Sequence, residues 1–235
     1  PSDFADTDGD GVGYKSDSFP NDANETADTD GDGIGDNADP FPNGGGLNKV
    51  VFFEENFDSL VLRPFESASE SNGSGADWTD ELLSGWQMIK GPNHGPTNGG
   101  IAVKEFDGWT FLDPVSWNAT SLQGRDQFTK GVGVIAVADS DEYDDQADAT
   151  FDASLITPVI DISGALENSL ILKFDSSWRK EPQTGYVSVQ YDGGDEMVIL
   201  SRDEDTPDAL NETIELPLNN PEGTKNLEIK CNYKE

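Results

Sequence analysis

The segment Asp6-Thr7-Asp8-Gly9-Asp10-Gly11-Val12-Gly13 returns 22 residues later as Asp28-Thr29-Asp30-Gly31-Asp32-Gly33-Ile34-Gly35. The register continues through Asp17 and Asp39, Phe19 and Phe41, and Pro20 and Pro42. Residues 1–43 hold twelve acids, one Lys15 and almost no large apolar side chains, so this stretch cannot build a hydrophobic core. A repeat that keeps its glycines, its Phe-Pro pair and its acids in step is nevertheless not low-complexity sequence. Something other than apolar burial must order it.

The spacing supplies a mechanism. Carboxylates at positions 1, 3 and 5 of a tight loop converge on one point, and glycine at position 6 permits the turn. A carbonyl at position 7 and an acid at position 12 complete an oxygen cage of the size that calcium prefers. In the first loop these ligands are Asp6, Asp8, Asp10, the Val12 carbonyl and Asp17. In the second they are Asp28, Asp30, Asp32, the Ile34 carbonyl and Asp39, with Asp36 near the position that often binds through water. Position 12 is Asp and not the longer Glu of an EF-hand, and no amphipathic helices flank either loop. The pattern resembles the thrombospondin type 3 repeat, in which calcium takes the place of a hydrophobic core. That resemblance implies ions shared between neighbouring repeats, with Asp3, Asp22 and Glu25 as candidate bridging ligands. Tyr14 stands where the second loop has Asp36, so the first site is one carboxylate poorer.

The whole chain carries 47 acidic and 14 basic residues, a formal net charge of −33. A surface of that sign excludes electrostatic binding to nucleic acid or to an anionic membrane. No run approaches the ~20 apolar residues of a membrane span. One cysteine excludes an internal disulfide, and one histidine excludes any site that needs two. Opening on Pro1 and closing on Glu235 in mid-strand, the chain reads as a fragment of a larger protein.

Asn43-Gly44-Gly45-Gly46 reads as a linker over 44–46, dividing calcium repeats at 1–43 from a larger domain at 47–235. The larger domain shows strand-like segments and almost no helical periodicity. Leu227, Ile229, Cys231 and Tyr233 alternate with polar residues over 226–233, the pattern of a half-buried strand. Similar readings cover 212–218, 185–191 and 168–175. The segments 132–138 and 196–200 read as strands buried on both faces, and 49–55, 85–90 and 100–106 are further candidates. This predicts a mainly β fold, an antiparallel two-sheet jelly-roll sandwich preceded by irregular calcium-stabilised repeats. Cys231 falls on the apolar face of its strand and is expected to pack as a small hydrophobe. His94, in Gly91-Pro92-Asn93-His94-Gly95-Pro96, is expected on a surface loop.

Several phrases carry a second resemblance: Gly85-Trp86, Gly108 to Phe111, Arg125 to Phe128, Ala136 to Asp145, Leu155 to Pro158, and Ser176 to Arg179. They are similar to bacterial accessory jelly rolls related to the MAM and cleaved-adhesin sandwiches. The resemblance implies an extracellular or cell-surface module appended to a hydrolase, with a Trp-rich closing strand that this chain does not contain.

Two clusters in the sandwich suggest chemistry. Asp139, Asp141, Glu142, Asp144 and Asp145 crowd into one loop and repel unless a cation or water screens them. A structural calcium held by Asp139, Asp141, Glu142 and Asp145, completed by Glu54, Glu55 or Asp58, is one reading; a solvated acidic loop is the other. Among the five tryptophans, Trp109, Trp117 and Trp178 are candidate sugar-stacking platforms, with Arg179 beside Trp178 to meet an anionic polysaccharide. Core packing is the competing reading for each. No catalytic residue stands out. The expected function is a non-catalytic calcium-binding spacer plus carbohydrate-binding module that serves the rest of its parent protein. An adhesion or structural domain is the alternative, and a lyase or hydrolase with unidentified acids a weaker one.

Overall fold

The computed structural model describes residues 5–29, 35–39, 50–67, 73–97, 100–145 and 148–235, and the chain divides into two compact units, Pro1–Val51 and Phe52–Glu235. Among the described residues the first unit contains turns and bends but neither helix nor strand. Its order lies in repeated backbone bonds. Tyr14 N–H donates to Ala5 O at 2.9 Å and Ser16 N–H to Gly13 O at 2.7 Å. The same two bonds recur 22 residues on, from Asp36 to Ala27 and from Ala38 to Gly35, each at 2.9 Å. The sequence repeat is thus a repeat of conformation. Gly9 and Gly11 sit at φ +88° and +96°, left-handed backbone that a β-carbon disfavours.

The second unit is mainly antiparallel β, a jelly-roll-like sandwich. Its first strands are β1 (Trp78–Thr79), β2 (Gln87–Lys90), β3 (Gly95–Pro96), β4 (Thr110–Leu112) and β5 (Ile135–Val137). Next come β6 (Ala149–Thr150), β7 (Asp152–Ile156), β8 (Ile160–Asp161) and β9 (Ile171–Trp178). The last are β10 (Thr184–Tyr191), β11 (Glu196–Arg202), β12 (Ala209–Pro217) and β13 (Asn226–Lys234). The main sheet runs β11-β10-β13-β7-β2, with β8 also paired to β13. Smaller sheets β12-β9, β1-β4-β5 and β3-β6 complete the unit.

β13, the strand that its alternation predicts, lies in the middle of the main sheet, with Val187 opposite Cys231 and Val189 opposite Ile229. Its inner residues Leu227 and Ile229 join Val187, Val189, Tyr191, Leu170 and Leu218 in one buried cluster. Cys231 packs against that cluster, and burial pushes its thiol up to about 11. A second cluster gathers Trp78, Phe106, Leu112, Ile135, Val137, Tyr143 and Phe151.

Several local expectations need correction. Residues 50–55 form no strand, and the segment expected as a strand at 100–106 instead ends in a 3-10 turn at Lys104–Phe106. Two helices interrupt the sandwich, α1 (Pro114–Ser121) and α2 (Ser140–Asp144). Both were invisible to apolar periodicity because they are short and begin on caps. Asp113 accepts Ser116 N–H, with Pro114 in the first turn, and Asp139 accepts Glu142 N–H.

Trp178 closes the end of β9. It is 7% exposed, with its ring 3.0 Å from where a β-carbon on Gly185 would stand and edge-on to Tyr233 at 6.4 Å. Its indole Nε1 has no hydrogen-bond partner. Removing an unpartnered buried donor offsets part of the cost of a smaller ring. Trp178→Phe, a large-to-small change, is therefore expected to cost less than Trp178→Ala, at about 3–5 kcal/mol. A urea titration showing a loss as large as that of Trp178→Ala would mean that the indole nitrogen is bonded.

Asp77 is 2% exposed and accepts bonds from Ser74 N–H, Gly75 N–H, Phe65 N–H and Ser116 Oγ–H, the last at 2.6 Å. Burial works against its charge, but the bonds from Ser116, Gly75, Ser74 and Phe65 together hold its carboxyl below the ordinary value. A depressed carboxylate contributes stability that is present above the unfolded-state value, about 3.9, and is lost as pH falls through the lower folded value. Asp77→Asn should flatten this acid limb of a plot of urea midpoint against pH. An unchanged limb below about pH 4 would show that other carboxylates set it.

Candidate functional site

In the first unit the backbone wraps the acidic side chains. Asp6 accepts Gly9 N–H at 2.7 Å on one oxygen and Gly11 N–H at 3.0 Å on the other. Asp8 accepts Asp10 N–H through Oδ1 at 3.3 Å, and Asp10 accepts Val12 N–H through Oδ1 at 2.7 Å. These bonds turn the remaining oxygens of Asp8 and Asp10 inward. Both Oδ2 atoms are shielded from solvent and have no hydrogen-bond partner. One oxygen from each of Asp6, Asp8 and Asp10 lies within 4.8 Å of the other two, and among the described residues no other acid, histidine or cysteine cluster is gathered this closely.

Other expected ligands take different places. Asp17 is buried and accepts Phe19 N–H at 2.8 Å, and it stands outside the three-acid group. Val12 is held in the turn by its bond to Asp10. Asp22 accepts both the N–H and the side-chain amide of Asn24 at 3.1 Å. Glu25 is 6% exposed and accepts Asn37 N–H at 2.9 Å, while the Asn37 amide donates to Asn24 O. Glu25 thereby ties one repeat to the next through backbone. Asp36 accepts Thr29 N–H at 2.7 Å and Thr29 Oγ1–H at 2.6 Å, and these bonds lower its carboxyl below the ordinary value. Asp28 and Asp39 belong to the second turn, where Asp39 N–H bonds Gly35 O. Asp30, Asp32 and Ile34, like Asp3, lie outside the described residues.

The acidic loop of the sandwich is answered by a guanidinium. Arg125, with a side chain 4% exposed, reaches Asp139 at 2.8 Å and Glu142 at 2.6 Å. It also donates to Trp117 O at 3.0 Å and to Thr120 Oγ1, and its guanidinium lies 5.1 Å over the Trp117 ring. Asp139 additionally accepts Trp117 Nε1–H at 2.8 Å. Asp139, Asp141, Glu142 and Asp145, the candidate calcium shell of the sandwich, are not gathered as Asp6, Asp8 and Asp10 are. Asp141 accepts the Gln123 amide instead, and Glu55 accepts the N–H groups of Asn56 and Phe57. Asp58 accepts Val134 N–H at 2.8 Å. Burial, then repulsion from Asp141 and Asp139, raises Asp145 above its ordinary value.

Of the aromatic candidates, Trp178 takes the competing core-packing role and the other two are partly covered. Trp178 lies in the interior, Trp109 packs against the core and donates to Ala153 O at 3.2 Å, and Trp117 packs there beneath Arg125. Arg179 is bound to Glu181 at 2.9 Å and to the carbonyl and side chain of Gln123. An indole reads as exposed from sequence whenever its neighbours are polar, and here the opposing strand covers it. His94 is likewise not on the surface, since its side chain is 3% exposed. Sequence reasoning also passed over Glu105, which is fully buried and accepts Glu66 N–H, Ser67 N–H and Ser67 Oγ–H.

No protein-family model matches the chain, and no curated protein matches it.

Proposed function

We propose that this chain is a non-catalytic extracellular module in which acidic repeats of the thrombospondin type 3 kind bind calcium beside an adhesion or structural sandwich. One observation carries the reading: two carboxylate oxygens, Asp8 Oδ2 and Asp10 Oδ2, are shielded from water without partners inside a three-acid group. Burying unpartnered anionic oxygen is costly, and an oxygen-loving cation removes that cost. An irregular loop suits calcium, which accepts flexible geometry, better than magnesium, which demands a near-ideal octahedron and holds its water. The 22-residue recurrence of the same turns supports a second ion at the second loop. For the sandwich, the buried position of Trp178 and the partial burial of Trp109 and Trp117 against the core favour adhesion or spacing over a sugar-stacking platform.

Calorimetric titration tests the calcium reading. The intact chain should take up at least two calcium ions, and Asp8→Asn with Asp10→Asn should remove the uptake of the first site. An intact chain that releases no heat with calcium, or a double variant that binds as much as the parent, refutes it.

A further inference from the structure

His94 is the chain's single histidine, and it is enclosed between elements far apart in sequence. Its ring stacks on Tyr143 at 5.0 Å and meets the edge of Phe151 at 5.2 Å. Nε2 lies 2.8 Å from Asp107 Oδ1, and Nδ1 accepts the backbone N–H of Asp152 at 3.0 Å. An amide N–H can only donate, so Nδ1 carries no proton and Nε2–H donates to Asp107. The neutral ring is thus specified by its partners. It fills the place where the chain turns between two short antiparallel pairings. On one side Gly91 N–H bonds Asp152 O at 2.8 Å, and on the other β3 pairs with β6.

We propose that His94 is an acid-sensitive latch that holds the Gly91–Thr97 segment on Asp148–Asp152 while the imidazole is neutral and releases it when the ring takes a proton. A proton added at Nδ1 faces the Asp152 N–H, donor against donor, and the bond cannot survive. The charged groups around the ring decide whether this cost prevails. Asp107 attracts an imidazolium, but Lys90 already pairs with its other oxygen at 2.7 Å. The Asp152 carboxylate belongs to β7 and is faced by Lys234 at 3.9 Å and by the Asn232 amide. Tyr143, from α2, is pushed up to about 12 by burial and then by Asp107, so it stays neutral. His94 first, and then Lys90, hold Asp107 well below the usual carboxylate range, so it stays charged. Histidine is the side chain type that changes charge between about pH 5 and 8, and neither Asp107 nor Tyr143 changes charge in that window.

The test is nuclear magnetic resonance on the whole chain labelled with nitrogen-15, where one histidine gives one set of ring signals. At pH 7.5 the ring nitrogens should report the Nε2–H tautomer. Between pH 7.5 and pH 5 the exchange protection of the Asp152 and Gly91 amides, corrected for intrinsic rates, should fall about tenfold, the upper range for one lost hydrogen bond. Val189, in the main sheet, should keep its protection. His94→Gln, whose amide does not titrate, should lose this pH response. An Nδ1–H tautomer at pH 7.5, or unchanged Asp152 protection across the titration, overturns the proposal even if the variant does not fold. A His94→Gln chain that folds and keeps the response overturns it too.

Discussion

Chelation of calcium is expected to unfold residues 5–29 and 35–39 while the sandwich stays folded. Among the described residues of the first unit the buried side chains are two acids, Asp17 and Glu25, and no apolar side chain is buried. Ordering a chain costs ~1–2 kcal/mol per residue. Without apolar burial that cost falls on turns, on bonds such as Tyr14 to Ala5, and on the ion. Remove the ion and the Asp6, Asp8 and Asp10 carboxylates repel across less than 4.8 Å. Hydrogen exchange with and without chelator should show protection lost across 5–29 and retained in β10 and β13. Protons compete for the same oxygens, so calcium affinity should also fall as pH drops toward the carboxylate range. Unchanged protection in chelator would sink the idea that metal orders the repeats.

Arg125→Met is expected to cost about 3–5 kcal/mol, because it strands Glu142 and Asp139 without their shared cation. Arg125 and Glu142 are 4% and 3% exposed at the side chain, so water cannot replace the lost partner without opening α2. Replacing both, as Arg125→Met with Glu142→Met, should recover the part of the loss that comes from Glu142, while Asp139 stays without its cation. Urea titrations of the parent, both single variants and the double variant give the coupling directly. A single variant that loses less than about 1 kcal/mol would mean that the pair is solvated and that the acidic loop has another counter-charge.

The contrast between these two sites shows what sequence can carry. The first acidic loop is local: Asp6, Asp8, Asp10 and their glycines lie within a few residues, so spacing brings these three carboxylates together, while Asp17 stands outside them. The β13 alternation is local in the same sense, and Leu227, Ile229 and Cys231 face inward as period two requires. The answering charge for Asp139 and Glu142 comes from Arg125, across 14 and 17 residues, through a turn with no periodic signature. His94 meets Asp152 across 58 residues, and Trp178 is covered by Gly185 and Tyr233 from other strands. Composition, repeat spacing and period-two patterning therefore determined the mainly β fold and the acidic loops by themselves. Only the tertiary structure decided that Trp178 is buried, that a guanidinium answers the sandwich acids, and that the single histidine side chain is enclosed. The reason is physical: a backbone repeat is set by neighbours in the chain, whereas burial and charge pairing are set by whichever distant strand closes over the residue.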